Sequence, residues 1–154
     1  FRAIAGELKA TLPADLRAFQ WSASSWMAKA WYGNRALHYE IWVRSSAKVV
    51  EIGLHFEADE LTNARLLGAF RMRAKDVKRA LGPDARIEEW DRGWARVWEP
   101  FSFATADIEE RVRERYCEYV RALEPILRDE LPSDVAWRVP AARRARTNSS
   151  RASR

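Results

Sequence analysis

LHYEIWVRSSAKVVEIGLHFE, residues 37–57, is the stretch on which the fold turns. Its two runs, LHYEIWVR (37–44) and VVEIGLHFE (49–57), are rich in β-branched and aromatic residues and alternate in polarity, as half-buried strands do. Ser45-Ser46-Ala47-Lys48 joins them. A turn there pairs Arg44 with Val49, Trp42 with Glu51, Glu40 with Gly53 and His38 with His55. A tighter turn at Ser46-Ala47 keeps the same partners, so the register does not depend on loop type. Side chains alternate across a strand. Tyr39, Ile41 and Val43 therefore share a face with Val50, Ile52, Leu54 and Phe56, and His38, Glu40, Trp42, Glu51, His55 and Glu57 share the other. The chain has two histidines in all. This register makes them cross-strand neighbours, Cβ atoms about 5 Å apart.

Outward from the hairpin, the next segment reads as a helix. Asp59 caps it and Glu60 suits its first turn. Leu67, Phe70, Ala74, Val77 and Leu81 recur at helical spacing, and Gly82-Pro83 stops the run. A second hairpin follows, ARIEEW (85–90) and WARVWEPF (94–101) around Asp91-Arg92-Gly93, which sets Trp90 opposite Trp94. The last helix runs from about residue 106 to Leu131 on the stripe Ile108, Val112, Tyr116, Tyr119, Leu123, Ile126 and Leu127. Thr105 is its expected cap, and Pro125 is expected to bend it. Upstream, short helices over 2–10 and from Pro13 to about Phe19 lead into an aromatic connector through Trp21, Trp26 and Trp31. The expected fold is α+β. Two β-hairpins joined by a helix form a four-stranded, mainly antiparallel sheet (order α–ββ–α–ββ–α) with helices on one face.

A chain of 154 residues with 47% apolar residues and eight tryptophans can bury one ordinary core without disulfides. Its single cysteine, Cys117, excludes an intrachain disulfide framework and fits a reducing, cytoplasmic setting. No apolar run approaches the roughly 18 residues a membrane span needs, and no signal peptide is visible. Phe1 in place of an initiating Met reads as a piece of a longer chain. The net charge of +5 belongs to one end. Six arginines and no acid lie in 138–154, which leaves 21 basic against 22 acidic residues in 1–137. The expected organisation is a single domain over 1–137 and a basic, disordered tail over 138–154.

Chemistry has few footholds. There is no G-x-S-x-G, P-loop, G-x-G-x-x-G or C-x-x-C. Cys117 sits among the stripe residues of the last helix and reads as a structural thiol. His38, Glu40, His55 and Glu57 are the catalytic and metal candidates. Two imidazoles with one or two carboxylates on rigid strands suit Zn or Fe(II), or an acid–base pair. The commoner meaning of such residues is the polar outer face of a half-buried sheet. The acids Glu88, Glu89, Asp91 and Glu99 could be half of a nuclease site, but the lysine that such a core wants is replaced by Trp90-Asp91-Arg92. A cross-strand pair of Glu88 or Glu89 with Arg96 explains them better. Trp42, Trp94 and Trp98 near arginines could stack bases, and Arg143, Arg144, Arg146, Arg151 and Arg154 in the tail can neutralise phosphates. Packing under the N-terminal segment or across a dimer is the bland account of the same tryptophans.

The stretch YEIWVR…VEIGLHFEADELTNARLLGAF…LGPDARIEEWDRGWARVWE, about residues 39–99, resembles an uncharacterised bacterial domain found at the C-terminus of restriction-endonuclease-like proteins. Asn63, Leu81-Gly82 and Glu89-Trp90 carry the resemblance. It implies an accessory role beside nucleic-acid enzymes and assigns no active-site residue. The expected function is thus a non-catalytic binding or accessory module, nucleic-acid associated and without a cofactor. The alternatives are a small metal-dependent enzyme using the His/Glu cluster, with Zn or Fe(II), and a structural dimerisation domain. Expected partners are nucleic acid, another protein or a second copy, and no membrane.

Overall fold

The structure, a computed structural model, describes residues 2–131. The tail assigned to 138–154, with its arginines, and the boundary at 137 lie outside those residues. The chain begins with α1 (Arg2–Thr11), a 3-10 turn at Ala14–Leu16, β1 (Gln20–Ala23) and β2 (Met27–Trp31). β3 (Leu37–Arg44), β4 (Val49–Phe56), α2 (Glu60–Met72) and α3 (Ala74–Leu81) follow. β5 (Arg86–Glu89), β6 (Ala95–Ser102) and α4 (Ile108–Glu130) complete it. The fold is α+β with an antiparallel sheet, but the sheet has six strands, in the order β1-β2-β3-β4-β6-β5, and not four.

The two extra strands are the segment expected to be a connector. β1 and β2 form a hairpin in which Trp21 pairs with Ala30 and Ser22 with Lys29. Ser24 makes the turn: its hydroxyl accepts from the Met27 amide at 3.1 Å and its own amide donates to Met27 O at 2.8 Å. Ala28 and Ala30, both buried, are the core-facing residues of β2. Small side chains there leave room for α1, but they mute the alternation that betrays a strand. Only a 3-10 turn at Ala14–Leu16 occupies the second expected N-terminal helix.

The central hairpin keeps the expected register throughout, from Arg44↔Val49 through His38↔His55 to Leu37↔Phe56. Lys48, at φ 54°, closes the four-residue turn. The second hairpin turns through Asp91–Gly93 with Arg92 and Gly93 at positive φ, and the Trp90 amide donates to Trp94 O at 2.6 Å. Asn63 ties α2 to that turn. Its buried amide donates to Gly93 O and to Ala58 O, both at 3.0 Å, and its oxygen accepts from the Ala58 amide at 2.9 Å.

One apolar cluster joins the helices to one face of the sheet. Ile41, Ile52, Leu54, Phe56 and Val97 from the strands meet Leu8, Leu66, Phe70, Val77, Tyr116, Tyr119 and Leu123, each at most 1% exposed. Fully burying one such side chain stabilises the fold by about 1.5–3 kcal/mol. Asp59 caps α2 as expected, accepting from Thr62 N at 3.0 Å. The single helix expected over 59–81 is instead two, broken at Arg73, whose guanidinium reaches Asp129 and Glu130 at 3.4 and 3.3 Å. α4 starts at Ile108 after Asp107 in a left-handed conformation, so Thr105 is not its cap, and it runs through Pro125 to Glu130.

Candidate functional site

The face of the sheet turned away from that cluster carries the candidate residues. Antiparallel pairing places Lys29 of β2 beside Glu40 of β3, His38 beside His55 of β4, and His55 beside Arg96 of β6. Glu88 of β5 stands beside Arg96. Among the described residues no helix contributes to this face, yet His38 and His55 are each 2% exposed, Glu40 3% and Arg96 5%. Long side chains of the face itself do the covering. Trp90 sits edge-on to His55, centroids 5.2 Å apart, and is flanked by Trp42 at 6.5 Å and Trp94 at 5.8 Å. Gly53 belongs to the same arrangement: a Cβ there would lie 2.8 Å from Trp98 Cβ, so only glycine lets Trp98 pack across β4.

Two polar groups occupy this face. In the first, the imidazoles of His38 and His55 are stacked, 5.5 Å apart and within 8° of parallel. His38 Nδ1 lies 3.0 Å from Arg35 O, so it carries the proton, and Nε2 accepts from Lys29 Nζ at 3.0 Å. Lys29 also pairs with Glu40 Oε2 at 2.8 Å. Glu57 Oε1 stands 3.6 Å from His55 Nδ1 and 3.9 Å from His38 Nε2. Burial by itself would raise the Glu40 carboxyl, but the His38 ring, the His55 site and the Lys29 ammonium outweigh it and hold the carboxyl at about 2. Glu57 is likewise lowered, its contacts with both histidines and Lys29 overcoming burial. Burial lowers the pKa of His55, against the raising contacts of Glu57 and Glu40. Two carboxylates, Glu40 and Glu57, thus stand within ion-pair distance of one lysine, at 2.8 and 3.9 Å.

The second group is an ion chain under indole rings. Arg96 donates to Glu51 at 3.1 Å and to Glu88 at 3.1 and 2.9 Å, and Arg44 donates to Glu51 at 2.7 Å. The Arg96 guanidinium lies 3.7 Å from the Trp98 centroid and 4.6 Å from that of Trp90. Four exposed arginines each cover a tryptophan: Arg35 on Trp31, Arg44 on Trp42, Arg86 on Trp98 and Arg92 on Trp94, at 5.0–6.0 Å.

The structure therefore brings together His38, Glu40, His55 and Glu57, with Trp42 and Trp94 on the same face. Trp98 shares the face but is 8% exposed beneath Arg96, so its ring is not presented to a ligand. The acids of the nuclease reading are dispersed. Glu88 pairs with Arg96, Glu89 is exposed across the strand, and Glu99 is buried on the helix side against Arg115 of α4. Cys117 is buried in the seam of α1 and α4, 3.7 Å from the Thr11 hydroxyl, and burial raises its pKa. That makes it a poor nucleophile. Sequence reasoning missed Lys29, because the signal that would have found it was the strand character of 27–31. No protein-family model, curated protein or solved structure matches the chain. No helix of the described residues is long and apolar enough to cross a membrane.

Proposed function

We propose that the chain is a non-catalytic binding module that takes single-stranded nucleic acid on the helix-free face of its sheet. The observation that carries this reading is the run Trp42–Trp90–Trp94 bordered by exposed Arg44 and Arg92. Indole faces accept any base, and the exposed guanidiniums that lie over Trp42 and Trp94 can turn aside to hold the phosphates that link those bases. The tail arginines add sequence-independent attraction. The accessory role implied by the resemblance to a domain of restriction-endonuclease-like proteins agrees with it.

Anisotropy titration of a labelled single-stranded oligonucleotide, at two salt concentrations, tests the proposal on the full chain. Stacking on an aromatic side chain contributes about 1–3 kcal/mol per base. Trp94→Ala should therefore weaken binding about tenfold or more and leave the salt slope unchanged. Replacing Arg143, Arg144, Arg146, Arg151 and Arg154 by serine should flatten the slope and leave measurable binding. No binding at low salt, or binding lost with the tail arginines and indifferent to Trp94, would refute the reading. A stable dimer in light scattering that Trp94→Ala dissociates would assign the face to self-association instead.

A further inference from the structure

We propose that His38, His55 and Glu57, with Glu40 beside them, form a binding site for Zn2+ that the Lys29 ammonium competes for. The donor atoms have the right separations. His38 Nε2 stands 3.4 Å from Glu40 Oε2 and 3.9 Å from Glu57 Oε1, which is 3.6 Å from His55 Nδ1. Two ligands at the usual 2.0–2.1 Å from a tetrahedral zinc are about 3.4 Å apart. One donor each from His38, His55 and Glu57 already lies within 4.8 Å of the other two, so small side-chain shifts would close a shell.

A second, independent feature points to a missing ligand. His55 is 2% exposed, and its Nδ1 has no close hydrogen-bond partner, the nearest acceptor being Glu57 Oε1 at 3.6 Å. A buried polar atom without a close partner is unfavourable, and a metal bound between His55 Nδ1 and Glu57 would give it one. The opposite nitrogen of the neighbouring ring is already arranged as metal ligands require. His38 Nδ1–H is held by Arg35 O, which fixes the tautomer and turns the Nε2 lone pair into the cluster. Charge agrees as well, because two carboxylates face a single ammonium.

Lys29 is the only cation within ion-pair distance of Glu40 and Glu57 among the described residues. Its side chain is 20% exposed and can swing out to water as a divalent ion enters. A mixed imidazole and carboxylate donor set suits Zn2+ better than Mg2+ or Ca2+, which prefer all-oxygen shells.

The test is Zn2+ titration of tag-free, chelator-treated full chain against a chromophoric chelator, with Co2+ as a spectroscopic stand-in. His38 and His55 are the chain's two histidines and Cys117 its one cysteine. Nitrogen ligation seen in the Co2+ spectrum therefore has no other side-chain source. The expected result is one Zn2+ per chain, the visible bands of tetrahedral Co2+, and no thiolate charge-transfer band. His55→Gln, checked for folding by circular dichroism, should weaken binding about a hundredfold. Lys29→Ala should tighten it about tenfold or more, since a unit charge about 4 Å from the ion is removed. Affinity indifferent to both substitutions, or no stoichiometric binding by either the wild type or Lys29→Ala, would overturn the proposal.

Discussion

The two faces of the sheet are built from the same strands, one residue out of step, and they solve burial in different ways. On the helix side, Tyr39, Ile41, Ile52, Leu54 and Phe56 vanish into an apolar cluster. Most of the polar groups there are closed into pairs. Glu124 of α4 accepts from Tyr39 Oη and Arg128 Nε, both at 2.9 Å, and Glu99 is clamped by Arg115. On the helix-free side, His38, Glu40, Glu51, His55 and Arg96 are almost as buried, but under one another and under tryptophans. Among the described residues four buried side-chain atoms lack a partner. Three of them, Gln20 Oε1, His55 Nδ1 and Trp98 Nε1, belong to the helix-free face, and Tyr119 Oη alone to the other. Buried polar atoms are ordinarily satisfied. One face reads as finished, the other as keeping capacity for something that is added.

That contrast can be broken most forcefully from the finished side. Phe56 is fully buried, with its ring 5.2 Å from Phe70. Phe56→Ala should cost about 3–5 kcal/mol, read as a lower urea midpoint. Trp94, half-buried on the other face, should cost far less when truncated. Equal losses would mean that the helix-free face is core in all but name.

Arg96→Ala sharpens the comparison from the other side. It removes three hydrogen bonds to two carboxylates and leaves the buried Glu51 paired with Arg44. Glu88 is exposed enough to be rescued by water. The expected loss is about 2–4 kcal/mol, in the same denaturation experiment, with part of it recovered in Arg96→Ala/Glu51→Gln. No recovery in the double variant would show that Arg96 acts through its packing between Trp90 and Trp98 and not through its charge.

The smallest effect concerns pH and lies on the finished face. Burial, against the lowering contacts of Arg128 and Tyr39, lifts the Glu124 carboxyl from 4.5 to about 7. Between those values the folded chain keeps a proton that the unfolded chain has released. Stability contributed here therefore falls as pH rises from about 4.5 to about 7, and is level above. Glu124→Gln should remove that slope and leave the protein about 1–3 kcal/mol more stable at pH 8 than the parent. A variant whose pH dependence matches the parent's would show that Arg128 keeps Glu124 ionised throughout.

How much of this was legible in the sequence follows from where side-chain period and size coincide. The 37–57 hairpin could be read to the residue because Leu37, Tyr39, Ile41 and Val43, and then Val50, Ile52, Leu54 and Phe56, put a large apolar group at every second position. That register alone places His38 beside His55. The 20–31 hairpin was not legible, because Ala28 and Ala30 look inward and supply no contrast with Lys29. With β2 unseen, the ammonium that occupies the histidine cluster was invisible too. The break between α2 and α3 was hidden because Phe70, Val77 and Leu81 keep helical spacing across it. Glu124 was passed over in a stripe of Leu123, Ile126 and Leu127, since periodicity places a residue on a face but does not disclose a buried partner such as Tyr39. A pair of Arg96 with Glu88 or Glu89 was readable from the three-residue turn, and the structure selects Glu88.

The most direct measurement follows the indole N–H signals of the full chain by 15N–1H NMR as a single-stranded oligonucleotide is added. Eight tryptophans report at once, and Trp21 and Trp26, which lie off this aromatic run and are exposed, are internal controls. The expected result is that Trp42, Trp90 and Trp94 shift together, along one binding curve, while Trp21 and Trp26 stay in place. Shifts confined to Trp21 and Trp26, or an unmoved set of indoles under conditions where the oligonucleotide is bound, would contradict the claim that the helix-free face is the binding surface.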